Sequence, residues 1–437
     1  MYQKGISRRK FLKGMAGGAA ALAALSSGMP VWAQRIGLQF VVWSYSIETI
    51  QDNIVRFQQR YPGLTVSLSD FGWTQYRPTM VSRFMGHTAT DVLYNGGDWL
   101  PEFALAGWVV PLERYFPQVL DYKDEIAGYA LSEMTYNGEL YGLPYYADLH
   151  TFMYNERILE EHGFTKPPET WEDVRDYSLK LKADGIKYPI MYEVAEDLPN
   201  FLDTFWSMVY GRGERPFDGD LNPVFNNRNH AAYKQLQFYA DSINKWEIAT
   251  FLPHESKVAP AMGTGQHAFT FMFNYMLAQL NNPGVNPLAG EFRLGLMPGK
   301  AHRCLGFAKF YCMTQMAAAR GKEVRDAAWK FIEYFGGKTD GEYRVAKQWA
   351  LEKGLGFAQL PLYDDPDVRA AWKSWIDMSV YKQQAELAWA PVRTEWYGVW
   401  SPFMRAQMVQ TLAGEISVGR ALNNAARRWD ELKEEFS

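Results

Sequence analysis

Asp148 is the only acidic residue in a stretch crowded with aromatic rings. From Tyr141 to Tyr154 (YGLPYYADLHTFMY), Tyr141, Tyr145, Tyr146, Phe152 and Tyr154 surround it. A carboxylate accepts hydrogen bonds from hydroxyl groups, and flat rings pack on apolar C–H faces, so such a segment can hold a ligand that has both. It also reads as a sheet strand whose rings make cross-strand pairs. The residues alone leave both readings open. Upstream, Tyr136-Asn137-Gly138-Glu139 carries the Asn-Gly pair of a type I′ hairpin. Downstream, Asn155 is placed to cap a short helix that Gly163 ends. Pro144 points to an edge or entry position in the strand.

Other reactive side chains form no catalytic set. The sequence has no Ser-His-Asp order, HExxH or phosphate loop, and its seven His show no ligand spacing. Asp218-Gly219-Asp220-Leu221-Asn222 opens like a calcium loop, but Pro223 and Asn229 stand where Gly and Glu are required, which leaves a turn. No cofactor or metal is implied. Cys304 and Cys312 flank a segment that reads as a strand, placing them about 26 Å apart, so two buried free thiols are expected.

These residues need elements to position them. Ile36–Trp43 is a continuous apolar run typical of a strand covered on both faces. Ile47–Arg60 repeats apolar residues at helical spacing and stops at Pro62-Gly63. A strand from Leu64, a helix from Trp73 and a short strand from Asp91 follow, and Asp98 is expected to cap the next helix. This order gives a parallel sheet flanked by helices, whose ligands sit beyond the carboxyl ends of the strands. That rule gathers Ser44, Tyr45, Asp70, Phe71 and Asn95 to Trp99 on one rim. A second α/β region begins at Thr170, which should cap a helix through Ala183. Strands are expected at Lys187–Tyr192, Ala268–Phe273, Phe292–Met297 and Leu305–Met313, and the last third reads as helical.

The chain has 437 residues and a formal net charge of −4. Ser7-Arg8-Arg9-Lys10-Phe11-Leu12-Lys13 is a twin-arginine export motif. An Ala/Gly-rich stretch follows it, with a small-residue cleavage site after Ala33. Residues 1–33 hold five basic side chains and no acid, so their removal takes the net charge to −9. An acidic chain without Lys/Arg clusters excludes nucleic acid as the expected partner. Val258–Gly290 contains no charged residue, but its apolar centre is too short to span a membrane. It is expected to be buried.

The order of these features resembles the extracellular solute-binding proteins of ABC importers, in the sugar-binding group that includes maltose-binding and glycerol-3-phosphate-binding proteins. The matching pieces are Leu38–Tyr45, Asp91–Asp98, and NGELYGLPYYADLHTFMYNERI ending at Ile158. Gly265–Tyr275, Leu305-Gly306 before a helix ending AWKFIEYF, and Gly414–Leu422 complete the set. The resemblance implies a monomeric periplasmic protein with a two-lobed α/β fold. Each lobe would be a mostly parallel sheet flanked by helices, with a signal peptide at 1–33. Residues 34–147 plus 308–350 would form one lobe and 148–307 plus 351–437 the other. Three crossings would lie near Tyr145–Leu149, Cys304–Ala308 and Lys347–Gly356. It implies no enzyme activity. The function it implies is capture of a sugar or oligosaccharide between hinged lobes, for delivery to membrane permease subunits or, in a variant reading, to a sensor.

Motif by motif, the resemblance points to Trp43, Ser44 and Tyr45 after the first strand, and to Asn95, Asp98 and Trp99 after the third. It adds Asp148 at the hinge strand, Tyr275 as a ring that stacks on a sugar, and Trp400 as another. Asn200 and Trp206 fall where the register is poor, and Arg393 in a variable part. Asp98, Asp148 and Arg393 would hold hydroxyl edges. Arg393 or Arg212 would instead serve a sugar acid or glycerol phosphate. A secreted glycan-active enzyme using Asp98 and Asp148 is the remaining alternative.

Overall fold

The computed structural model describes residues 35–436. The twin-arginine motif and the cleavage site after Ala33 lie outside the described residues. The apolar runs form strands as expected: β1 Ile36–Trp43, β2 Leu64–Phe71 and β3 Val92–Gly96. The Asn-Gly hairpin joins β4 Thr135–Tyr136 to β5 Glu139–Leu140, with both turn residues at positive φ. After it comes β6, Gly142–Asn155. The second α/β region supplies β7 Ile190–Glu193, β8 Ala249–Leu252, β9 Phe269–Phe273, β10 Phe292–Gly295 and β11 Leu305–Met313.

Two parallel trios, β2-β1-β3 and β9-β7-β8, are joined through antiparallel β11 and β6 into one nine-stranded sheet. At 14 residues, β6 is about 46 Å long. Its Gly142–His150 part pairs with β11, and His150–Tyr154 pairs with β9. Residues Lys309–Met313 of β11 pair with β3. The two long strands therefore pass from one trio to the other, and hydrogen bonding does not break between them. Pro144 is the third residue of β6 and lies where that strand pairs with β11 alone, the edge or entry position expected. The pairing slips between Lys309 and Phe310, opposite Pro144, and such a bulge accommodates a residue that has no N–H.

Helix ends follow their capping residues. Asn155 accepts from the N–H of Ile158, and Gly163 follows the helix Glu156–Glu161 at positive φ. Thr170 and Asp173 form a reciprocal capping box on Trp171–Ala183. Asp98 is not a cap. The helix after β3 begins at Leu100, Trp99 takes the cap position, and the Asp98 carboxylate turns to Lys309 instead. The Asp218 carboxylate accepts the N–H groups of Asp220 and Asn222, a tight turn. Val258–Gly290 divides into two short helices around β9, and no described helix is long and apolar enough to cross a membrane. Cys304 and Cys312 are buried and free. Burial pushes the Cys312 thiol up to about 12, which leaves it unreactive.

Candidate functional site

A cavity of about 620 Å³ opens where β6 and β11 pass between the trios. Alternation in a strand sends every second side chain to one face. On β6 that face carries Tyr146, Asp148 and His150; on β11 it carries Phe307 and Lys309. Tyr145, one residue off, packs away from the cavity against Tyr311 and Trp349. The carboxyl end of β1 adds Trp43 and Tyr45, and Trp73 follows from β2. The far wall comes from the second trio and its helices, with Asn200, Asp203, Glu255, Phe273 and Tyr275.

The rings form two platforms. Trp43 and Tyr45 stack with centroids 4.9 Å apart, and Phe273 and Tyr275 stack at 4.3 Å. The Tyr275 hydroxyl donates to Glu255 at 2.9 Å, and the Asn200 amide donates to the same carboxylate at 2.7 Å.

Both cations in the wall are already paired. The Lys309 ammonium donates to Asp98 at 2.6 Å and lies 5.0 Å from the Trp73 ring and 5.1 Å from the Trp99 ring. Burial opposes ionisation of Asp98, but attraction from Lys309 and Arg393 outweighs it and holds the carboxyl below its ordinary range. Arg393 donates to Asp203 at 3.2 Å, has Glu133 at 3.7 Å, and sits over the Tyr397 ring at 4.6 Å. Burial pushes Glu133 up to about 7, with Arg393 offsetting part of the rise.

Asp148 has no such partner. Its carboxylate accepts a hydrogen bond of 3.2 Å from the N–H of Gly356, and burial pushes it up to about 8, with Gly356 and the Asn274 side chain offsetting part of the rise. Gly356 is required there: a Cβ would collide with the Ala147 carbonyl and with Asp148 itself. Nearby His150 is driven down to about 4 by burial and is therefore neutral, with Nδ1 2.9 Å from the Thr204 hydroxyl.

Of the residues expected from sequence, Trp43, Tyr45, Asp98, Asp148, Tyr275 and Arg393 line this cavity, as does Asn200. Ser44 does not; it is exposed and donates to Asp70. Asn95 is buried beneath the rim, its amide facing the Cys312 sulfur. Trp99 stacks on Tyr76 and supports Lys309 from behind. Trp206 and Trp400 are corrections of a larger kind. They stack on each other within a core of Phe217, Phe225 and Trp429, and the Trp400 indole N–H donates to the Ala425 carbonyl. Neither can face a ligand in this structure.

Sequence reasoning missed Lys309 and Asp203, although each carries a signal. Lys309 is the only charge in LGFAKFYCM and Asp203 the only one in NFLDTFWSMVYG, and both elements are otherwise built for burial. A lone charge in such an element requires a partner or a ligand.

A family model described as bacterial extracellular solute-binding protein matches residues 43–342. A putative binding protein of Brucella abortus (strain 2308) is 27% identical over 180 residues, 40% of this chain and 42% of its own length. The chain thus spans less than half the length of the curated relatives it matches first. The sn-glycerol-3-phosphate-binding periplasmic protein of Shigella flexneri is 38% identical over 222 residues, 48% of this chain and 47% of that one. Among solved structures, the sugar-binding protein MalE from Xanthomonas citri superposes with a TM-score of 0.76. It is 20% identical and covers 92% of this chain and 98% of its own. Maltose-bound T. maritima MalE3 reaches the same TM-score at 18% identity, covering 91% of this chain and 100% of its own. At such identity these structures establish the two-lobed fold alone.

Proposed function

The chain belongs to the bacterial extracellular solute-binding protein family, and from that premise we propose that it captures a sugar or small oligosaccharide between its lobes and delivers it to the permease of an ABC importer. One observation carries this reading. The cavity presents stacked rings from both trios, with carboxyl and amide groups between them, the combination that a polyhydroxylated ring requires. Its volume suits a ligand of a few hundred daltons. The lobe boundaries fall within β6 and β11, where each strand changes partners, and Gly356 marks the third crossing beside Asp148. Binding works by selecting the closed arrangement in which both walls touch the ligand. We read the function as capture without chemistry, in a monomer exported by the twin-arginine route to the periplasm and cut after Ala33.

A phosphate or carboxylate ligand is disfavoured. It would need a free cation, and Lys309 and Arg393 are each committed to a carboxylate. The test is a thermal-shift screen of mono- and disaccharides, polyols and sn-glycerol 3-phosphate. A ligand at 100 times its dissociation constant adds about 2.7 kcal/mol of stability, which such a screen detects. Neutral or basic sugars should give the shifts. A shift with glycerol phosphate alone would overturn the assignment.

Tyr275→Ala removes a stacking surface and the hydroxyl that binds Glu255. It should weaken sugar binding about tenfold, corresponding to ~1.4 kcal/mol, with little change in melting temperature. Calorimetric titration of the variant checks this.

A further inference from the structure

We propose that the captured ligand carries a protonated amine, making it an amino sugar, and that this amine is held by Asp148 with Glu255 nearby on the opposite wall. The inference rests on the sugar-capture reading and deepens it. Asp98, Asp148, Asp203 and Glu255 line the cavity, whereas its only Lys and Arg are Lys309 and Arg393. Those two are spent on Asp98 and Asp203, and Arg393 has Glu133 behind it as well. Two carboxyl groups remain, and no Lys or Arg bridges to either of them among the described residues. Glu255 is bonded only by the neutral donors Tyr275 and Asn200. Asp148 likewise meets only neutral donors, the Gly356 N–H and the Asn274 side chain.

The titratable groups that face Asp148 from the packed elements add no positive charge. They are the phenols of Tyr45, Tyr146, Tyr275, Tyr129, Tyr363 and Tyr381. His150, on the same strand face, is neutral. Glu193, buried behind Glu255, adds further negative potential. A cavity walled by Trp and Tyr faces with unpaired carboxyls between them attracts a cation twice over, through the ring quadrupoles and through direct charge. A neutral sugar would use the rings and leave Asp148 protonated. An ammonium group placed on Asp148 would hold that carboxyl ionised.

The experiment is calorimetric titration near pH 7 with matched pairs: glucosamine and glucose, galactosamine and galactose, and chitosan disaccharide and cellobiose. The expected result is at least about tenfold tighter binding of the amine in the best pair, the size of one charged hydrogen bond. Binding should also release close to one proton as Asp148 ionises, read from the dependence of the measured heat on buffer. Asp148→Asn should abolish both the preference and the proton release. Neutral members binding as well as or better than their amines, or an unaltered preference in Asp148→Asn, would overturn the amine assignment and leave sugar capture standing. No binding by any sugar or polyol would remove sugar capture itself.

Discussion

Asp148→Asn should stabilise the ligand-free protein at pH 8 and leave it nearly unchanged at pH 4. The folded-state carboxyl is pushed to about 8, against an ordinary value of 3.8 in the unfolded chain. Between those values the folded protein keeps the proton and the unfolded chain has released it, so unfolding gains an ionisation that folding forbids. Stability is therefore lost as pH rises from about 4 to about 8. At ~1.4 kcal/mol per unit, the full span is on the order of 5 kcal/mol. Asn keeps an oxygen for the Gly356 N–H and cannot ionise, so the variant escapes this loss. Urea denaturation of both proteins across that pH range measures it, and a difference that stays flat with pH would show that Asp148 is solvated or paired. Glu133 and Glu193, pushed up to about 7 and about 8 by burial, act in the same direction. They are present in both proteins and cancel in the comparison.

Trp400→Ala should cost about 3–5 kcal/mol of unfolding free energy and leave the dissociation constant of the folded protein unchanged. The ring is fully buried, stacked near Trp206 and edge-on to Trp429, and its indole N–H reaches Ala425. Removing it opens a cavity in the packing between the helices Tyr397–Leu412 and Val418–Phe436 and leaves the Ala425 carbonyl with one partner fewer. The contrast with Tyr275→Ala is diagnostic, because that ring stands in the cavity wall and its loss should be felt in binding. Denaturant melts paired with titrations separate the two effects. A Trp400→Ala protein of normal stability and weakened binding would return this ring to the site.

Local sequence determined much of the scaffold. Apolar runs marked β1 and β11 to the residue, because strands buried on both faces admit little else. Asn137-Gly138, Asn155 and Thr170 named their turns and caps, since each conformation depends on a few neighbouring atoms. The resemblance pointed to Asp148, and only the pairing of β6 with β11 showed that Tyr146 shares its face and Tyr145 does not.

Which ring is wall and which is core was decided by tertiary structure alone. The resemblance assigned Tyr275 and Trp400 the same role, a ring that stacks on a sugar. One packs beside Phe273 at the cavity, and the other is enclosed by rings from four distant parts of the chain. Charge state belongs to the same level. Lys309 meets Asp98 across 211 residues, and Arg393 meets Asp203 across 190. No local pattern carries those pairings, yet they neutralise the cations that a phosphate would need and leave Asp148 uncompensated. The amino acids supplied rings and carboxyls in abundance. Long-range packing chose which of them face a ligand, because burial and ion pairing depend on groups that meet only after the chain has folded.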